Sequence, residues 1–180
     1  MAEIDAKRLK EMLDRGVAIR NRYFNDEDDP VSALCERASE QAIQALESQL
    51  GFRLPNAYRL FLSLSNGWDF VDAHVSLMSC EDIGNAYKNN AFAQWYHDVW
   101  LEELEYPEHT LVIGTSDITP AKYLLVLPDP DDGNKKAEPK DTDWKIMYVD
   151  DDSEFYYDDF VDYLQQSEQT YRDLVDGESG

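Results

Sequence analysis

Three histidines, two cysteines and 38 aspartates and glutamates are the residues of this chain best suited to chemistry. His74, His97 and His109 form no HxH, HxxxH or HExxH pair, and Cys35 and Cys80 stand far apart without a CxxC partner. Zinc takes several such ligands at close, regular spacing, so no zinc site is signalled. The cysteines read as reduced thiols of a cytosolic protein rather than a disulfide. The stretch "DPDDGNKKAEPK" begins like a calcium loop. Counted from Asp129, however, it places Gly133, Asn134 and Lys140 where that loop uses an oxygen ligand, a glycine and a bidentate glutamate. Asp150, Asp151 and Asp152 could gather a cation weakly, although such a run is more often a turn with exposed carboxylates. There is no glycine-rich phosphate cradle, and "SLSNGW" lacks the GxSxG of a nucleophile elbow. Among so many acids, carboxylate pairs arise by chance, and no spacing singles out a general acid and base. The reading is a non-catalytic chain with no cofactor and no metal. An enzyme, the competing class, would need histidines and acids converging in a cleft.

Charge carries more information. Sixteen basic residues against 38 acids give a net charge of −22. Nucleic acid and anionic membrane both require positive surface, so neither is expected as a partner. A basic protein would be attracted and its encounter accelerated; an acidic, solvated surface with no specific partner is the equally open alternative. Residues 128–162 hold thirteen acids and four lysines, yet also Trp144, Ile146, Tyr148, Phe155, Tyr156, Tyr157 and Phe160. Such residues are scarce in disordered acidic tails, so this segment is expected to be folded with an acidic exterior. Acids beside aromatics combine steering with burial, which makes Asp69, Asp72, Asp150, Asp151, Asp152, Glu154 and Tyr156 the candidate partner-binding residues. The four tryptophans read as core anchors, with one or two available to a partner. No apolar run reaches the roughly 20 residues that span a bilayer. The N-terminus "MAEIDAKRLKEMLDRG" has no apolar signal-peptide region, so a cytoplasmic location is expected.

The elements that must position these residues follow from periodicity. Ile4, Leu9, Met12, Leu13 and Val17 predict a helix over 3–23, weakened at Gly16. The solvated break "NDEDDP" follows, so residues 1–30 are expected to form an appendage packed on a body of residues 31–180. Ser39 suits an N-cap and Gly51 a left-handed C-terminal stop for a second helix. Pro55 suits the first turn of a third helix, and Asn66-Gly67 its end with a positive-φ residue. Alternation predicts a strand over 70–79. Helical spacing follows over 81–104, with a possible break at "KNN" (88–90). "TLVIG" and "AKYLLVLPD" predict a hairpin, and "WKIMYVD" a further strand. The segment 128–143 reads as a mobile acidic loop. A closing helix is predicted from Glu154 onward. Without regular β-α-β alternation the class is α+β, a mostly antiparallel sheet in a single domain, with helices expected on one side.

"LESQLGFRLPNAYRLFLSLSNGW" (46–68) resembles the signature of the SMI1/KNR4 family, or SUKH superfamily. The resemblance rests on Ile43, Leu46 and Glu47, then Gly51, Leu54-Pro55, Tyr58, Phe61-Leu62 and Asn66-Gly67. "VSLMSCEDIGNAY" is similar to the family's next strand and helix start, "LVIGTSDITPAKYLLVLPD" to its strand pair, and "FYYDDFVDYL" to its closing helix. It covers roughly residues 36–166. Ile118-Thr119-Pro120, where the family often shows glycine and aspartate, and the insertion at 128–143 depart from the pattern. The resemblance implies a SUKH-like α+β fold in which Leu54, Pro55, Tyr58, Phe61, Leu62, Asn66 and Gly67 are scaffold. It also implies a binding module. Bacterial members are commonly immunity proteins that sit in the producer's cytosol and neutralise a cognate polymorphic toxin domain, often a nuclease. A nuclease needs a basic surface to hold phosphates, which an acidic inhibitor would match. Eukaryotic members are linked to cell-wall synthesis and signalling, so a regulatory scaffold without a toxin partner is the alternative.

Overall fold

Short sequence signals set the ends of the first helices. In the structure, a computed structural model that describes residues 3–100, 109–127 and 143–178, the Asp5 carboxylate accepts the Arg8 N–H and opens α1 (Ala6–Tyr23). Ser39 does the same for α2 (Glu40–Leu50), accepting the Ala42 N–H at 3.1 Å. Gly51 ends α2 in the left-handed region at φ 78°. Glu47 then clips the α2–α3 turn: one carboxylate oxygen accepts the Leu54 N–H and the Arg59 Nε, both at 3.1 Å. Pro55 is the N-cap rather than the first helical residue, because its ψ of 143° is extended; α3 runs Asn56–Leu64.

The "NG" that follows has a tertiary reason as well as a local one. Asn66 Oδ1 accepts the Cys80 N–H at 2.8 Å and so satisfies an orphan donor at the start of α4 (Cys80–Lys88). Gly67, at φ 110°, lets the chain pass the Leu77 carbonyl, where a Cβ would sit 2.7 Å from the oxygen. Gly16 is likewise a place of close approach, with a Cβ there 2.7 Å from the ring of buried Trp68.

The sheet is an antiparallel meander whose strand order is the chain order: β1 (Ala33–Leu34), β2 (Trp68–Asp69), β3 (Ser76–Leu77), β4 (His109–Thr115), β5 (Lys122–Leu127), β6 (Lys145–Val149) and β7 (Glu154–Tyr157). α5 (Ala91–Trp100) precedes β4, and α6 (Phe160–Glu178) closes the described chain. Three expectations need correction. The strand predicted over 70–79 is only β3, since Phe70 (φ 49°) starts a turn that delivers Val71 and Val75 to the core without strand pairing. Residues 154–157 are β7 rather than helix, because a tight turn at 150–153 folds them back onto β6 in the register Val149–Glu154 to Ile146–Tyr157. The helices lie on both faces of the sheet. Leu111, Ile113, Tyr123, Leu125 and Ile146 share a core with α1, α2, α3 and α6, while Val112, Leu124, Val126, Met147 and Val149 meet Phe92 and Tyr96 of α5. Two buried faces explain the unbroken apolar run "YLLVL".

The helical stretch 81–104 breaks at Asn89-Asn90, where Asn90 has φ 50°; residues 101–104 lie outside the described residues, as does 128–142 of the segment read as a mobile loop. α1 belongs to the main core through Leu9, Met12 and Leu13, and it packs on α6 through Arg15–Glu168 and the Tyr23, Phe24 and Tyr171 rings. Among the described residues no helix is long and apolar enough to cross a membrane. Gly67→Ala should cost about 2–4 kcal/mol, from a strained φ and a backbone clash together. Urea unfolding measures this, and an unchanged midpoint would show that β2 and β3 can separate freely at this point.

Candidate functional site

The meander gathers three connections at one end of the sheet: the β2–β3 turn (70–75), the β4–β5 loop (116–121) and the β6–β7 turn (150–153). The registers Ser76–Thr115, Thr115–Lys122, Lys122–Val149 and Val149–Glu154 align them. All seven candidate partner-binding residues fall on or beside this end, although the chain separates Asp69 from Tyr156 by many elements.

Their roles differ. Asp72 is half-buried and internally committed. Its Oδ1 accepts the His74 and Val75 N–H groups at 3.0 and 2.8 Å, and its Oδ2 accepts the Tyr123 hydroxyl at 3.0 Å. Asp150 repeats the pattern. Its Oδ1 accepts from Asp152 N–H, Ser153 N–H and the Ser153 hydroxyl, and its Oδ2 from the Tyr148 hydroxyl at 3.0 Å. Burial works against the Asp150 charge, but these donors hold its carboxyl below the ordinary value. The Tyr123 and Tyr148 rings meet edge-on with centroids 5.2 Å apart, so the two carboxylates are anchored side by side. Asp69, Asp151, Asp152, Glu154 and Tyr156 are exposed. The Asp69 carboxylate lies 3.8 Å from the Cys35 sulfur, where burial and then Asp69 push the thiol pKa up. Tyr156 stands on the α5 side of β7 near Tyr96. The carboxylates of Asp150, Asp151 and Asp152 lie within 4.8 Å of one another. Because the Asp150 oxygens are taken by the turn's own donors, the geometry is that of a hairpin tip.

The turn bearing Asp72 is fastened from below by a residue that sequence reasoning missed. Arg20 of α1 is fully buried. Its Nε and Nη2 donate to the Asp72 carbonyl at 3.2 and 2.9 Å, its Nη1 donates to the Pro30 carbonyl, and its guanidinium lies over the Phe24 ring. The helical period is the signal that could have found it: it sets Arg20 on the stripe of Leu9, Leu13 and Val17 and leaves exposed Arg15 and Arg22 off that stripe. Phe155 and Ile118, 56% and 74% exposed, were also missed as surface groups. The sequence reading puts Phe155 in a helix and marks Ile118 only as part of a departure from the family pattern. Lys122, at this end of β5, is half-buried over the Trp95 ring at 5.2 Å, and burial lowers its pKa.

The family-motif residues lie elsewhere: Leu54, Pro55, Tyr58, Phe61 and Leu62 are buried, and Tyr58 and Phe61 pack against Phe160. A cleft of about 460 Å³ opens between the starts of α1, α3 and α6. Two of its acids order the start of α6: Asp159 accepts the Asp162 N–H, and Asp162 accepts the Asp158 N–H and the Gln166 amide, while Glu3 accepts the Asn56 amide and Asp158 faces Lys145. His74 is exposed in the β2–β3 turn, and His97 on α5 faces its own neighbour Asp98.

A helix-wrapped antiparallel meander with ordered acids at one end defines an α+β protein. The family model described as SMI1 / KNR4 family (SUKH-1) matches residues 37–166, and the chain belongs to that family. No curated protein sequence matches the chain. α1, with Arg20, lies outside the matched residues.

Arg20→Met should cost about 2–4 kcal/mol, since it takes the donors from two part-buried carbonyls, and it should speed hydrogen exchange at His74 and Val75. Equal exchange in both proteins would mean that Asp72 holds the turn alone. Burial also raises the pKa of Tyr123, Tyr148, Tyr157, Tyr163 and Tyr171. The unfolded chain releases these protons near pH 10, before the folded chain does. Their contribution is therefore complete below about pH 10 and is lost as the pH rises beyond it. A tyrosine absorbance titration should show these hydroxyls ionising together with alkaline unfolding, not before it.

Proposed function

We propose that this chain is a non-catalytic immunity protein that neutralises a cognate polymorphic toxin domain, with a basic nuclease domain as the best match, by direct binding in the cytoplasm of the cell that makes the toxin. Membership of the SMI1/KNR4 family supports the binding role. The observation that carries the choice of surface is the convergence of exposed Asp69, Asp151, Asp152 and Glu154 with exposed Tyr156, Phe155 and Ile118 at one end of the sheet. Exposed aromatics give a partner something to bury, and unneutralised carboxylates steer a positive partner toward it.

The structure refines which acids to test. Asp72 and Asp150 hold turns, so changing them confounds stability with binding. Asp151, Asp152 and Glu154 are solvent-facing, and reversing them should alter stability by no more than about 0.5 kcal/mol. The experiment is association kinetics with the toxin domain encoded by the neighbouring gene, measured across a salt series. The triple change D151K/D152K/E154K should slow association by about tenfold or more at low salt, and the difference should shrink as salt rises. Unchanged kinetics would remove this end of the sheet as the binding surface. Should no toxin domain be encoded nearby, the regulatory-scaffold reading takes its place.

A further inference from the structure

The outermost described strand beside this acidic end has an open edge. β7 pairs only with β6, and among the described residues no strand lies beyond it. Its direction of bonding can be worked out. The Asp150 N–H donates to the Ser153 carbonyl. That makes 150–153 a bonded pair, and antiparallel ladders alternate bonded with unbonded pairs. Tyr148–Phe155 and Ile146–Tyr157 are therefore the bonded pairs, while Val149–Glu154 and Met147–Tyr156 are not. The backbone N–H and C=O groups of Glu154 and Tyr156 point away from the sheet.

Natural sheet edges are commonly closed to pairing by lysine, proline or a bulge. β7 has none of these: its sequence is "EFYY" and its register with β6 is unbroken. It also carries Phe155 and Tyr156, 56% and 59% exposed, on opposite faces. Acid flanks both ends of the strand, with Asp151, Asp152 and Glu154 at one and Asp158 at the other. Two copies of this edge would meet like charge to like charge, which disfavours self-pairing. An incoming basic strand meets opposite charge and two aromatic side chains on which to lay its own.

We propose that β7 is the docking edge of this surface, and that its occupant is an extended, lysine- or arginine-bearing segment of the partner protein that adds to the sheet as a further strand. The proposal rests on the acidic-surface reading above and gives it a binding mode: backbone pairing supplies register, and the acids select the partner.

The test uses the whole isotope-labelled chain and a short capped peptide of alternating lysine and threonine. A second peptide of the same charge carries N-methyl groups on its central amides. At low salt the first peptide should bind and slow exchange of the Glu154 and Tyr156 amides, and the methylated one should bind about tenfold more weakly. Tyr156→Pro, at an edge position that tolerates proline, should bind the first peptide about fivefold more weakly than Tyr156→Ala, since both lose the ring but only one loses the outward N–H. Equal, salt-sensitive binding of the two peptides would overturn strand addition and leave the acidic-surface reading standing. Protection at another site would overturn the assignment to β7. No binding of either peptide at low salt would overturn both.

Discussion

The buried guanidinium of Arg20 is the interaction on which the geometry of the acidic end depends. It joins three pieces of chain: α1, the Pro30 segment that follows the acidic break, and the β2–β3 turn. A buried cation must be met by acceptors on several sides. Here two backbone carbonyls and the Phe24 ring meet it, so the chain has few ways to pass that point. The turn above is then rigid enough for the Asp72 carboxylate to reach Tyr123, and through the Tyr123–Tyr148 contact the β6–β7 hairpin is set as well.

Neutral donors hold the two carboxylates of this end, while the Arg20 guanidinium holds the turn backbone beneath them. Asp72 and Asp150 are bonded by tyrosine and serine hydroxyls and by backbone N–H groups, none of which cancels their charge. Elsewhere the molecule does neutralise acid: Glu47 and Glu40 meet Arg59, and Glu168 meets Arg15 and Arg172. Where arginine meets glutamate the field is local. At the sheet end Asp150 is held in place without a basic donor, so its charge adds to the potential in the surrounding solvent.

Much of the scaffold was legible because its signals are local. Ser39 and Gly51 act within a few residues of themselves, and the buried positions of α2 and α3 follow one helical period. The misreadings share a cause. "FVDAHVSL" alternates because a turn, rather than a strand, drops Val71 and Val75 into the core. "EFYYDDF" carries aromatics that suit either period, and only pairing with β6 decides between them. Pro55 moved by one position because its ψ, which the ring does not fix, is extended.

The sequence alone determined the class of fold, the family motif and the excess of acid, since caps, periodicity and net charge depend on residue types and short spacings. It could not divide the aspartates. Asp150 and Asp151 are neighbours of one chemistry, yet one is bonded into its turn and the other faces water. Tertiary structure made that division, together with the bonding of Arg20 to the β2–β3 turn and the place of β7 as an outermost described strand. Each depends on what a distant segment places beside the residue, and the free energy of a charge is set by those surroundings far more than by its place in the chain.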